Sequence, residues 1–279
     1  MENHRIEQPA SAPVLQPRIQ KRSRTNHLPI ILFFIVWEIL TRINTEVELA
    51  NPTFFPPPSL IFLQGVELVK SGLLVDSIMV STMRVAAGAT MGILLGVGAA
   101  LLIGKSKKLD EWISPILNIL GPIPALAILP LFIIWFGIGE LPKIILIAWT
   151  VFFPVLTNTL EGIKSVNPLL IRSALSLGAN QGHIYKKIVL PSVLPNILAG
   201  CQISLGLAFS ALVVSEMLGA KSGLGYLIID ARNYFKLTNM YVAIIVIGLE
   251  YSLFSLLFKQ IEKKTLKWRR TGMADAIEK

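Results

Sequence analysis

The chain has 279 residues, of which 53% are hydrophobic and only 15% charged, with a mean hydropathy of +0.64 and a formal net charge of +9. That much apolar surface cannot be enclosed in a soluble globule of this size, so lipid is the expected solvent. The single cysteine, Cys201, excludes an intrachain disulfide.

Residues 1–27 are polar and basic near their end (Arg18, Lys21, Arg22, Arg24) and read as a disordered cytoplasmic tail. The first apolar run, Leu28 to about Ile43, is interrupted by Glu38 and Arg42, and no small-x-small cleavage site follows it. An uncleaved membrane anchor is expected rather than a signal peptide. Residues 44–76 contain FFPPPS and the mildly amphipathic LIFLQGVELVKSG, which predict an extracytoplasmic connection carrying a short surface helix. Apolar stretches then follow at about 77–104, 112–136, 143–160, 192–219 and 239–258. Each is near the ~20 residues that a bilayer core requires, so six spans are predicted, with a core over 77–260 and a basic cytoplasmic tail over 261–279.

The second span holds Arg84, and charged groups at membrane depth are functional candidates. Arg84 also leads a series of small residues, Gly88, Gly92, Gly96, Ala100 and Gly104. A step of four overshoots one helical turn by about 40°, so only Gly88 and Gly92 are expected to share its face closely. The third span contains Pro115, Pro122, Pro124 and Pro130. Such a backbone is tolerated in a membrane where it is buried in protein or lines a water-filled cavity, which makes Pro122 and Pro124 either pathway-lining residues or kinks that serve packing.

Residues 161–195, EGIKSVNPLLIRSALSLGANQGHIYKKIVLPSVLP, form a loop far longer than a change of direction needs. Asn167 and Pro168 are an N-cap and first-turn pair, Gly178 is a left-handed stop, and Asn180 caps a second helix expected to run to Val189 before Leu190 and Pro191. On composition alone this could equally be an amphipathic helix at the headgroups, with Lys186 and Lys187 facing phosphates.

At this loop the sequence resembles the inner-membrane permeases of binding-protein-dependent ABC importers, whose signature is E-A-A, three residues, G, nine residues, I-x-L-P. The pattern falls on Arg172, Ser173, Ala174, Gly178, Ile188, Leu190 and Pro191, with Arg172 in the place of the glutamate and Ser173 in that of an alanine. Similarity of text extends to SxxxSTMRVxxG, GPIPALAILPLFIIWFGIGE and SEMLGAKSGLGYLIIDARN, which resemble the sulfonate and taurine branch with nitrate and bicarbonate permeases close by. The resemblance implies an all-α polytopic fold of the type I importer kind in the bacterial inner membrane. It also implies that these residues, with Ala179 and Asn180 between them, form an ATPase-coupling loop. The implied partners are a second permease copy as a homodimer, two ATPase subunits that hold ATP and Mg²⁺, and a periplasmic or lipid-anchored solute-binding protein.

Glu216 lies about three residues before the fifth span ends and is placed to meet Arg84. Arg84 and Glu216 are expected either to form a structural pair or, with Arg84 as a source of positive potential, to serve an anionic substrate. Beyond them, GAKSGLGYLIIDARNYFKLTN suggests a re-entrant or surface helix facing outward, with Lys221, Asp230, Arg232 and Lys236 as contacts for a binding protein.

With the N-terminus placed inside, nineteen Lys and Arg fall on the cytoplasmic side and six, including Arg42 and Lys143, on the other. The bias predicts cytoplasmic termini and explains the net charge without nucleic acid. No phosphate-binding loop is present: before Gly104-Lys105-Ser106 the required glycine is Ala99. His4, His27 and His183 lack metal-ligand spacing, and no G-x-S-x-G occurs. The chain is therefore expected to hydrolyse no ATP itself. A secondary transporter, which shows paired broken helices in two halves, and a non-transporting anchor are the rival readings.

Overall fold

A computed structural model describes residues 28–47 and 51–268, so the tail expected over 1–27 and residues 269–279 of the basic tail lie outside the described residues. The described chain is helical, with no strand among the described residues. In order come α1 (Leu28–Val47), α2 (Pro58–Lys70), α3 (Leu73–Ile103), α4 (Lys107–Leu120) and α5 (Ala125–Phe136). They are followed by α6 (Glu140–Lys164), α7 (Pro168–Ser176), α8 (Gln181–Ile184), α9 (Leu190–Gly219), α10 (Leu224–Asn233) and α11 (Leu237–Thr265). Among the described residues, five helices are long and apolar enough to cross a bilayer: α1, α3, α6, the continuous Gln181–Gly219 and α11. α4 and α5 meet the same measure only as a pair, bent by 100° at the break between them.

That bend corrects the single span expected over 112–136. Neither Pro122 nor Pro124 carries an N–H, and each disfavours helical geometry in the residue before it, so the helix stops at Leu120 and restarts at Ala125. Pro115 and Pro130 stay inside α4 and α5.

The second helix of the long loop also departs from expectation. It does not end at Val189; α8 passes through a π-helical turn, Tyr185–Val189, into α9, giving one helix over Gln181–Gly219. The wide turn, in which Leu190 N–H donates to Tyr185 O, absorbs Pro191, whose ring would clash with a carbonyl one regular turn earlier.

α3 and α6 run in the same direction along a ladder set by the small residues. A Cβ added to Gly88, Gly92 or Gly96 would lie 2.9, 2.6 and 2.9 Å from the carbonyl oxygens of Ile144, Ala148 and Phe152 respectively. The partner rungs also step by four, so the two ridges follow each other around both helices. Gly96 and Ala100 are buried with Gly88 and Gly92, and Gly104 abuts Ile163, so the shared face is longer than the two glycines expected. α9 runs antiparallel to α6, with Gly200 against Pro154 O and Gly162 against Asn196.

The main core joins Val85, Leu129, Leu146, Val151, Val193 and Leu212, and reaches Val166, Ile184 and Val189 beneath the long loop. A smaller cluster, including Ile61, Leu68, Leu224 and Val242, binds α2 to α10 and α11. Glu38, which interrupts the first apolar run, has a use here. Its carboxylate accepts Ser59 N–H at 3.0 Å and Ser59 Oγ–H at 2.8 Å, capping α2, whose own N-cap, Pro57, supplies no side-chain acceptor.

Candidate functional site

Two places carry the residues singled out from sequence, at opposite ends of α6 and α9. The first is the segment between those helices. Asn167 Oδ1 accepts Leu169 N–H at 2.9 Å and starts α7. The stop is a Schellman motif: Ala179 N–H donates to Ala174 O at 3.0 Å, and Gly178 N–H to Leu175 O at 2.9 Å, with Gly178 at φ +79°. Asn180 Oδ1 then accepts His183 N–H at 2.8 Å and starts the next helix. The spacing from Ala174 to Gly178 is thus that of a helix stop.

Ile171, Ala174, Ala179 and Ile188 pack against the main core, while Leu169, Leu170, Leu175 and Leu177 are exposed, Leu177 at 87%. Arg172 and Ser173 are exposed as well, and Arg172 takes part in no ion pair among the described residues. Leu190 is exposed and Pro191 half-buried, on the continuous helix rather than at a break. Lys105 Nζ lies over the Tyr185 ring at 5.7 Å, and Lys164 pairs with Asp110 at 2.7 Å. These contacts tie the segment to α4 and to the turn before it.

The second place brings Arg84 and Glu216 together. Arg84, 3% exposed, donates from Nη1 to Glu216 Oε1 at 2.8 Å and to Ser222 O at 2.7 Å. It also donates from Nε and Nη2 to the two oxygens of Glu140 at 2.5 and 2.7 Å. Glu216, 0% exposed, accepts further bonds from Ser81 Oγ at 2.8 Å and Gly225 N–H at 2.8 Å. Ser81 Oγ in turn accepts Leu224 N–H at 2.9 Å. Gly223, at φ +113°, brings the backbone so close to the Glu216 carboxylate that a Cβ there would collide with it. The pair expected from sequence therefore forms, and the turn between α9 and α10 wraps around it.

Three members of this region, Glu140, Lys143 and Glu250, escaped the sequence. Glu140 opens α6 one step of four before Ile144, so its pairing with Arg84 is the first rung of the α3–α6 ladder. Lys143, counted in the sequence as a loop charge, is instead buried in the first turn of α6 and donates to Glu140 Oε1 at 2.8 Å. An i, i+3 carboxylate and lysine at a helix start was the available signal. Glu250 of α11 is the third. It is 8% exposed, and its Oε1 accepts Thr82 Oγ–H at 2.6 Å while Oε2 has no hydrogen-bond partner among the described residues. A lone carboxylate within an apolar stretch was the signal there.

Pro122 and Pro124 are not near either place. They form the break between α4 and α5, and Pro124 lines a cavity with residues of α6 and α9. Lys221, Arg232 and Lys236 form no ion pair among the described residues.

A bundle of apolar helices with one pair broken at Pro122 and Pro124 has an architecture that membrane transport proteins use, and the relatives place it in the class of transmembrane permeases. The chain belongs to the binding-protein-dependent transport system inner membrane components, a family that matches residues 92–265. It is 37% identical over 244 residues to a Bacillus subtilis (strain 168) protein named as an aliphatic sulfonates transport permease, SsuC, covering 88% of this chain and 87% of that one. The taurine transport system permease protein TauC of Escherichia coli (strain K12) is 32% identical, covering 85% and 86%. The formylaminopyrimidine transport permease protein ThiX of Halalkalibacterium halodurans is 28% identical, covering 86% and 94%. Among solved structures, an inward-facing MetNI methionine ABC transporter matches with a TM-score of 0.61 at 20% identity, covering 69% of this chain and 96% of that one. A bacterial alginate ABC transporter, in complex with alginate pentasaccharide-bound periplasmic protein, matches with a TM-score of 0.56 at 16% identity, covering 86% and 91%. The fold is that of the type I importer permeases, and the chain is a transport component of the membrane.

Proposed function

We propose that this permease imports a small organic anion, an aliphatic sulfonate of the taurine kind, by alternating access, with ATP and Mg²⁺ held on two separate ATPase subunits. A second copy of the chain completes the pathway. A periplasmic or lipid-anchored binding protein delivers the solute to the end that carries Arg84 and α10, and both termini lie in the cytoplasm. The names of the Bacillus and Escherichia relatives, both of which concern sulfonates, support this choice of solute.

The observation that carries the drive is α7. It is fixed at both ends by side-chain and backbone caps and rooted in the core by Ile171, Ala174 and Ala179. It nevertheless leaves Leu169, Leu170, Leu175 and Leu177 bare beside Arg172. An apolar patch at the aqueous end of a membrane protein fits a protein partner. A rigid, rooted helix can pass on a rigid-body motion from that partner. On this reading Arg172, Ser173, Ala174, Gly178, Ala179, Asn180, Ile188, Leu190 and Pro191 form the drive segment. Arg172 calls for an acidic residue on the ATPase, or sits at the edge of the contact.

The test is reconstitution with the ATPase and binding protein in liposomes, followed by uptake of labelled taurine and ethanesulfonate. ATP-dependent uptake is expected, and replacing Leu175 and Leu177 by serine should release the ATPase during purification. Retained association and uptake in that double variant would overturn the drive assignment.

A further inference from the structure

Glu250 has no part in the clamp around Arg84 or in the drive segment, and its surroundings do not suit a charge. It stands midway along α11, in the run VIGLEYSLF, and is buried with 8% of its surface exposed. Its Oε1 meets Thr82 Oγ of α3 at 2.6 Å, the one side-chain hydrogen bond between these two helices among the described residues. Its other oxygen, Oε2, has no hydrogen-bond partner among the described residues and is enclosed so fully that no water molecule fits beside it. Glu250 takes part in no ion pair among the described residues.

The charges nearby balance without it. Arg84 and Lys143 are the buried cations among the described residues. Arg84 serves Glu140 and Glu216, and Lys143 serves Glu140. Glu216 also receives Ser81 Oγ–H and Gly225 N–H, the set of donors that an ionised carboxylate needs. Glu250 receives a single hydroxyl, and the charged group that acts on it is Glu216, a like charge on α9. A metal ion does not fill the gap either. No group of three or more His, Cys, Asp or Glu that could hold one occurs among the described residues, and Oε2 has no space beside it. An ionised carboxylate in such a place is far costlier than the acid, so the group takes up a proton.

We infer that Glu250 is a proton-binding site, held as the neutral carboxylic acid where α11 meets α3. The proton comes from water and sits on Oε1, which then donates to Thr82 Oγ, so the 2.6 Å contact is met with its direction reversed. Oε2 becomes a carbonyl oxygen, the form that is least costly to leave without a partner. The bound proton thereby ties α11 to α3 one residue from Ser81, which holds Glu216.

The inference is independent of the solute and is tested on the purified permease in lipid at about pH 7, by infrared spectroscopy of the parent, Glu250→Gln and Thr82→Val. The parent is expected to show the carbonyl band of a protonated carboxylic acid, moved to lower frequency in D2O. Glu250→Gln should lose that band. Thr82→Val keeps the acid and removes its partner, so the band should remain and move to higher frequency. Thr82→Val carries the assignment by itself if Glu250→Gln does not elute as a folded protein on gel filtration. A parent spectrum without the acid band, or a folded Glu250→Gln that retains it in full, would show that Glu250 is ionised and neutralised by a cation, and would overturn the site. A band unmoved in Thr82→Val would place the proton away from α3 and overturn the link.

Discussion

Arg84 makes four hydrogen bonds with its guanidinium, two of them to Glu140 and one each to Glu216 and Ser222 O, which leaves it little to offer a passing solute. It acts as a clamp among α3, α6, α9 and the turn before α10. Removing one member of a buried pair strands the other, at a cost of about 3–5 kcal/mol. Arg84→Met should therefore lower the thermal stability of the purified protein strongly, because Glu216 is left buried without its cation. The double variant Arg84→Met, Glu216→Leu should recover some of that loss. Equal stability of single and double variants would show that the pair does not hold this end together. Glu250 belongs to the same neighbourhood, since adjacent residues of α3, Ser81 and Thr82, bond to Glu216 and Glu250. Glu250→Gln keeps a partner for Thr82 and is expected to stay within about 1 kcal/mol of the parent in the same melting experiment.

Among the elements, α7 and the α3–α6 pair make the sharpest demands on sequence. Gly178 has open space around the position of a Cβ, so only its left-handed backbone requires glycine. Gly178→Ala should cost about 1 kcal/mol and loosen α7 without disturbing the spans, read as faster proteolysis of residues 165–180 in an otherwise folded protein. Gly92 is the opposite case, because a Cβ there meets Ala148 O and Val151 at 2.6 and 2.8 Å. Gly92→Leu has to force α3 away from α6 and should abolish folding, which detergent gel filtration would report. Much of this is legible in the sequence. Asn167, Gly178 and Asn180 act on their own backbone, and local chemistry can be read locally. What stays hidden depends on crossing geometry or on competition between effects. The ladder beyond Gly92 needs the partner's step of four, Glu140 gains meaning only beside Arg84, and Pro191 has the look of a stop although a wide turn lets the helix continue through it.

For the whole molecule, the six predicted crossings correspond among the described residues to five continuous apolar helices and one bent pair. Their orientation can be tested with the chain's own chemistry. Cys201 is buried within α9, so background labelling by a membrane-impermeant maleimide should be low. The variants Arg172→Cys and Lys236→Cys should label from opposite sides of intact cells and inverted vesicles, with position 236 reached from outside. Labelling of both from one side would reverse or void the topology read from charge. The helix over Gln181–Gly219 has a mechanical consequence. At ~1.5 Å per residue its 39 residues form a rod of roughly 58 Å, with the Asn180 cap at one tip and Glu216 near the other. A rod that long acts as a pushrod: its ends cannot move independently unless it flexes, and its ladder is loosest at the π-helical turn beside Pro191 and Pro195. The stiffness of those few residues therefore sets how much of a displacement at the aqueous tip arrives at the clamp around Arg84.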